Sequence, residues 1–344
     1  MKLAFVSDFY YPSIGGTQML CKGTAEWFRD QGNEVEIVTS SDENREDLGY
    51  AVNALRMNNL DVLLGKNYDA VFVFADLFSP SMWIDTRECE KSILILNLDE
   101  NIYRWIQEGK IPNIQGKINK IKTFTHIISF CEGAPVNKFL KENNIKYHFV
   151  PNFSRDVMNG KKSPNITKKA LRIGKKIIFN HGNIEHRKNQ LNLMHAFVES
   201  GLSRDFHLVI LGSPRASVDR DYFLKCKEFC DSTESITMIK GTNSKVVINS
   251  LLSISDVYVL PSIAEGLPLV LLESMSAGLP WVSTPVGGVP GVLGKMKSGK
   301  LLKTFDLSDL ESCVREVEEK NSRKDWESMF SIERAMEQYS ELLC

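Results

Sequence analysis

Two glutamates, Glu265 and Glu273, stand with seven residues between them in a stretch that begins Pro261-Ser262-Ile263-Ala264 and closes Ala277-Gly278-Leu279-Pro280. An apolar run, Val257–Leu260, reads as a buried strand that ends in a loop carrying Glu265 and Gly266. Pro268 suits a first helical turn, where its missing N–H costs nothing. Glu273 then falls over a turn into that helix among Leu269, Val270, Leu271 and Leu272. A carboxylate in such company is costly unless it accepts hydrogen bonds, and the paired hydroxyls of a ribose would supply them. Glu265 sits instead beside backbone amides that suit sugar hydroxyls and phosphate together. The plainer alternative puts Glu265 on a nearby helix end and Glu273 on a wet face. Two carboxylates so placed, followed by Val286-Gly287-Gly288-Val289-Pro290, favour a ligand.

A second cluster runs from His181 through Gly182, Asn183, Ile184, Glu185, His186, Arg187 and Lys188 to Asn189. Glycine followed by cations at a strand-to-helix junction suits phosphate oxygens, with Lys188 the leading candidate and Arg187 behind it. His181 and His186 lack a third ligand nearby, so the cluster is not read as a metal set. Near the N-terminus, Gly15 and Gly16 precede a helical pattern, where backbone amides and the helix dipole suit a diphosphate. A tight turn capped by Thr17 is the competing reading of those glycines.

These residues need strands and helices to hold them. Short β-rich runs at Leu3–Val6, Val35–Thr39, Ala70–Phe74, Ile93–Asn97, His126–Ser129 and Tyr147–Val150 alternate with helical stretches such as Thr17–Asp30. Residues 156–175 break the rhythm and read as a polar linker. Alternation then resumes, with strands at Lys176–Asn180, Phe206–Leu211, Ile236–Ile239, Val257–Leu260 and Trp281–Ser283, and helices at 188–200, 219–230, 243–253, 268–277 and 307–320. The reading is α/β: two Rossmann-like, doubly wound domains over 1–155 and 176–322 facing across a cleft, with a helix at 323–344 folding back on the first. Ligands of such sheets bind beyond the carboxyl ends of the strands.

At 344 residues the chain is long enough for two cores, and 43% hydrophobic with 25% charged residues is ordinary globular composition. A net charge of −1 provides no global field toward nucleic acid or an anionic membrane. Seven cysteines without CxxC spacing read as reduced thiols of a cytoplasmic protein. No apolar run is long enough to span a bilayer.

The block P-S-x-x-E-G-x-P, the paired glutamates, A-G-x-P and V-G-G-x-P resemble the retaining glycosyltransferases of family four, with the GT-B fold. Phe9-Tyr10-Tyr11-Pro12 ahead of Gly15-Gly16, Leu208–Gly212 and Pro151-Asn152 extend the resemblance over nearly the whole chain. The resemblance implies transfer of a hexose or N-acetylhexosamine from a UDP- or GDP-sugar to a hydroxyl acceptor, with retention and without a metal. It implies that Glu273 binds ribose and that Glu265 contacts the transferred sugar. The amides of Gly266, Leu267 and Leu269 would approach sugar and phosphates, Lys188 would neutralise the leaving diphosphate, and Gly16 would complete the phosphate cradle. Gly15 and Asn97 fall on the acceptor or sugar side.

Two positions depart from the pattern. Asn183 stands where the family usually carries arginine, five residues before the lysine, and Arg187 is the candidate replacement. Asn97-Leu98-Asp99 stands where the first domain commonly offers a histidine. Competing readings are an epimerase on the same fold and a nucleotide-sugar-binding protein without catalysis. The acceptor is a glycan, a lipid-linked sugar or a small molecule, with a nucleic acid disfavoured by net charge; a lipid-linked acceptor would imply contact with the inner face of a membrane. Loops 41–60, 76–90 and 99–118 are the acceptor side, where Trp83, Tyr103 and Trp105 can stack on a sugar or pack. Domain closure on donor binding is the expected motion.

Overall fold

The structure, a computed structural model, describes the chain except residues 9, 11–14, 40–50, 55–59, 98–99, 131–134, 215–216, 243 and 318–319. It divides into two compact units, Met1–Phe153 with Ile332–Cys344, and Ser154–Ser331.

The first unit contains β1 (Lys2–Ser7), α1 (Gly16–Asp30), β2 (Glu34–Thr39), β3 (Ala51–Ala54), β4 (Ala70–Ala75), β5 (Lys91–Leu96), α2 (Glu100–Gln107), α3 (Ile114–Ile121), β6 (His126–Ser129), α4 (Pro135–Glu142) and β7 (His148–Phe149). The strands form one sheet in the order β3-β2-β1-β4-β5-β6-β7, every pair parallel. β4 is buried along its whole length, as its apolar run Ala-Val-Phe-Val-Phe-Ala requires of a strand covered on both faces. Phe5 stacks on Phe72 at 4.9 Å, and Phe28 of α1 closes over both.

The second unit contains β8 (Lys176–His181), α5 (Gln190–Glu199), β9 (Phe206–Gly212), α6 (Arg220–Asp231), β10 (Ile236–Lys240), α7 (Lys245–Ile254), β11 (Val257–Leu260), α8 (Leu269–Ser276), β12 (Trp281–Ser283), α9 (Val289–Val292), β13 (Gly299–Leu301), α10 (Leu310–Val317) and α11 (Arg323–Met329). Its sheet runs β10-β9-β8-β11-β12-β13, again parallel throughout. Both sheets are therefore doubly wound. The order reverses between β1 and β4 in the first and between β8 and β11 in the second, the places where such sheets open a crevice for ligand.

The strands β3 and β13 lie outside the expected set, and two segments differ from expectation. Residues 156–175 belong to the second unit, where their polar groups have partners. Asp156 takes the Arg323 guanidinium at 2.6 Å, Ser163 N–H donates to Ser250 at 2.8 Å, and Lys168 meets Asp256 at 2.6 Å. The expected helix over 323–344 is broken at Phe330, which is fully buried and whose carbonyl accepts Ser154 N–H at 3.0 Å. Its first half, α11, belongs to the second unit, and its second half, α12 (Ile332–Glu341), to the first, where Tyr339 stands edge-on to Phe72 at 6.0 Å. Among the described residues no helix is long and apolar enough to cross a membrane.

Candidate donor site

The loops that follow β8 and β11 flank the reversal point of the second sheet and carry most of the candidate residues. After β8 the chain turns at Gly182, whose φ of +146° favours glycine. Gly182 N–H is tied to Leu211 O at 3.0 Å and Ile184 N–H to Ser213 O at 2.9 Å. A Cβ on Gly212 would stand 2.3 Å from Gly182 O, so glycine at the end of β9 is what lets this loop lie flat against its neighbour. A short 3-10 turn, His186–Lys188, then delivers both cations before α5 begins.

This loop is stitched to the one after β11. Ile263 N–H donates to Arg187 O at 2.9 Å, and Asn189 Nδ2 donates to Pro261 O at 3.1 Å. The stitching brings Lys188 Nζ to 2.6 Å from Glu265 Oε1 and Arg187 Nη1 to 3.1 Å from Oε2. The Arg187 fork also donates to Ala264 O at 2.8 Å and to Glu185 Oε1 at 2.6 Å. Glu265 and Glu185 are buried, 7% and 9% exposed, so two carboxylates and two cations form one compact network. Burial alone would raise the Glu265 carboxyl, but the charges of Lys188 and Arg187 overcome it and hold it below the ordinary range.

Glu265 is fixed from a third side. Gly287 has a φ of +53°, and a Cβ there would lie 2.2 Å from the carbonyl oxygens of both Glu265 and Gly266. Gly288 N–H donates to Gly266 O at 2.8 Å. The paired glycines thus let the segment after β12 press on the peptide of Glu265, where any side chain would push it away.

Pro268 is the N-cap of α8, one position ahead of the first turn expected for it. Leu271 N–H bonds to its carbonyl at 3.1 Å, and Glu273 follows one turn into the helix. Its Oε2 lies 3.3 Å from His181 Nε2 and its Oε1 3.2 Å from Lys245 Nζ. Burial opposes the charged form, but the His181 hydrogen bond and the Lys245 charge win and hold the carboxyl at about 2. Ionised, Glu273 can only accept, so His181 Nε2 carries the proton. His181 Nδ1 is buried and has no partner. The ring is stacked on Phe179 at 5.4 Å and meets the edge of Tyr258 at 5.6 Å. The helix closes with Gly278 at φ +83°, whose N–H returns to Met275 O at 2.9 Å while Leu279 N–H reaches Ser274 O at 3.1 Å.

The structure thus brings together Glu265, Gly266, Arg187 and Lys188, with Leu267 buried behind them and Leu269 opening α8. Asn183 is exposed, and its carbonyl accepts from Gln190 Nε2 at 2.7 Å. Its side chain does not replace the family's arginine. Gly15, Gly16 and Asn97 lie in the first unit. Gly15 is the extended N-cap of α1, so the capping role falls to it, with Thr17 inside the first turn. Thr17 Oγ1 instead accepts from Asn97 Nδ2 at 3.1 Å. Pro12, Leu98, Asp99 and most of the 41–60 loop lie outside the described residues.

Nothing near His181 in the sequence signals its bond to Glu273, and Glu185 and Lys245 likewise take part through bonds to other segments, Glu185 by way of Arg187. Lys245 did leave a signal, since a cation in the first turn of a helix opposes the helix dipole.

Residues 162–329 match the family model described as glycosyl transferases group 1. The chain is a glycosyltransferase. The match covers the whole of the network just described. An N-acetyl-alpha-D-glucosaminyl L-malate synthase of Bacillus anthracis is 24% identical to the glycosyltransferase over 334 residues, covering 87% of this chain and 83% of that one. A sulfoquinovosyl transferase of Arabidopsis thaliana is 44% identical over only 62 residues, 18% of this chain and 12% of its own length. In fold, the glycosyltransferase matches the crystal structure of Anabaena HepE in complex with UDP at a TM-score of 0.77 and 15% identity, covering 100% and 99% of the two chains. The architecture is GT-B, as the resemblance implied.

Proposed function

We propose that this glycosyltransferase moves a hexose or N-acetylhexosamine from a UDP- or GDP-sugar to a hydroxyl acceptor during glycan or surface polysaccharide synthesis, in the cytoplasm or at the inner face of a membrane. The observation that carries the reading is the pairing of Glu265 with Lys188 and Arg187 beside the reversal point of the second sheet. Cations already gathered at a strand-to-helix junction suit a diphosphate, and their placement favours the charge that develops as it departs. Glu273 keeps one lone pair on each oxygen beyond its bonds to His181 and Lys245, which suits the two hydroxyls of a ribose. The backbone amides of Gly266, Leu267 and Leu269 would follow the sugar and phosphates. Gly16 would add amides to the phosphates, and Gly15 and Asn97 would serve the acceptor or sugar.

The reaction breaks the bond from anomeric carbon to phosphate oxygen and forms one to the acceptor oxygen, whose proton leaves with the diphosphate or solvent. Retention at the anomeric carbon and independence from metal belong to the same proposal. UDP and glucose bound to a HepE of the same fold support a nucleotide-sugar donor.

The test is thermal stability against a panel of nucleotides and nucleotide sugars, with and without EDTA. Stabilisation by one nucleotide family, lost in Glu273→Ala and untouched by EDTA, is the expected result. No shift with any nucleotide would overturn the donor reading. Once an acceptor is found, the anomeric configuration of the product, read by NMR, decides retention.

A further inference from the structure

Three aromatic side chains of the first unit are exposed yet held in place. Phe78 follows β4, Trp83 closes a 3-10 turn over Pro80–Trp83, and Trp105 lies in α2; they are 47%, 37% and 39% exposed. Phe78 and Trp105 meet edge to face with centroids 6.0 Å apart. The ammonium of Lys117, from α3, lies 5.7 Å from the Phe78 ring and 5.9 Å from Trp83, and it also donates to Leu77 O. Lys117 is itself buried, so one cation fastens two rings from beneath while their outer faces stay open.

This patch adjoins the polar end of the sheet. Phe78 N–H donates to Asp76 Oδ1 at 2.7 Å. Asn97 N–H donates to Ala75 O at 2.8 Å, which sets Asn97 beside Asp76 at the ends of β5 and β4. β4 borders the reversal point of the first sheet.

Three kinds of occupant would fit exposed rings. An anionic membrane needs free cations as well as apolar contact. Here Lys117 is capped by the rings, Lys120 donates to Ile84 O at 2.8 Å, and Lys110 pairs with Glu108 at 2.7 Å. A second copy of the chain needs about 800 Å² from each partner, more than three half-exposed rings supply. A sugar ring needs aromatic faces for its C–H surface and hydrogen-bonding groups at the edge for its hydroxyls, and both are present. Rings already fixed in place lose little freedom on binding.

We propose that Phe78, Trp83 and Trp105, with Asp76 and Asn97 at their edge, form the acceptor subsite and take a neutral hexopyranose ring. The choice of ligand rests on the glycosyltransferase reading. Burial raises the Asp76 carboxyl, with a smaller push from Asp8, and bonds from Phe78 and Ser79 oppose it.

Saturation-transfer NMR on the full chain tests this, using methyl glycosides of glucose, galactose, mannose and N-acetylglucosamine. Nucleotide-induced thermal shifts are measured on the same samples. At least one glycoside is expected to receive saturation at its ring C–H protons and to titrate to a plateau. Phe78→Ala and Trp105→Ala should each weaken it tenfold or more, Trp105→Phe should recover to within about threefold of wild type, and Asp76→Asn should weaken it. All four variants should keep the wild-type nucleotide shift. No saturable glycoside, or unchanged binding in both alanine variants, would overturn the subsite. Sedimentation with phosphatidylglycerol vesicles that is lost in Trp105→Ala would also overturn it, in favour of a lipid surface. A wild type that takes up glycosides but shows no nucleotide shift would fail the donor reading alone.

Discussion

His181 holds Glu273 across 92 residues of sequence, its Nε2–H pointing to a carboxylate oxygen 3.3 Å away while its other nitrogen is buried without a partner. The histidine therefore acts through the glutamate: it fixes which way the carboxylate faces, and in the proposed donor site the remaining lone pairs would meet the nucleotide. His181→Phe should keep the stack on Phe179 but free the carboxylate, weakening nucleotide binding about fivefold to thirtyfold, as expected for loss of roughly 1–2 kcal/mol. His181→Gln, with an N–H donor of similar reach, should recover most of it. Calorimetric titration of the three proteins checks this, and equal affinity in all of them would remove His181 from the site.

The same carboxylate makes stability depend on pH. Its folded pKa, about 2, is below the unfolded value, as is that of Glu265 by direction. A depressed carboxylate stabilises the fold fully above its unfolded pKa, about 4.3, and loses that contribution as pH falls through the folded value. The melting temperature should fall between about pH 4.5 and 2 more steeply in wild type than in Glu273→Gln. Parallel curves would show that the ion pairs add nothing to the fold.

Gly287 and Gly278 both have positive φ, yet only one touches the site. Gly287→Ala adds strain and a collision with the carbonyls of Glu265 and Gly266, so it should destabilise by about 2–4 kcal/mol and lower kcat about a hundredfold. Gly278→Ala strains only a helix end and should cost about 1 kcal/mol with kcat nearly unchanged. Denaturant curves and steady-state rates separate the two. Equal kcat in both variants would mean that Gly287 does not position Glu265.

Arg187 and Lys188 share Glu265 but differ in what else they hold. Lys188→Ala should lower kcat about 10²–10³-fold with little loss of stability. Arg187→Ala also strands buried Glu185, so it should lose about 1–3 kcal/mol of stability as well. Arg187→Lys should not restore it, because an ammonium cannot fork between two carboxylates. Denaturation and initial rates of each variant decide whether the two cations have separate tasks.

What was legible in the sequence depended on how local the signal was. The strands, the doubly wound pattern and the two glutamates sit in runs whose apolar period and punctuation can be read within ten residues. β13, Gly-Lys-Leu, holds a single large apolar residue, and β3, Ala-Val-Asn-Ala, a single β-branched one, so neither stands out as a strand. The polar stretch 156–175 looked solvated because its partners, Ser250, Asp256 and Arg323, come far later in the chain. For the same reason His181 and Glu185 were invisible as site residues: each matters through a bond to another loop. In the sequence Glu273 reads as a carboxylate for ribose, whereas its first partners are protein groups.

The placement of α12 bears on the order in which this protein can be made. Tyr339 covers Phe72, so this sheet receives part of its apolar cover from residues synthesised only after the whole second unit. Ser154–Ser331 is contiguous and can complete itself as it emerges, but the earlier unit waits, with an aromatic face uncovered, for some 180 further residues at about 5–20 residues per second. A nascent chain therefore spends on the order of ten to forty seconds with this first unit incomplete.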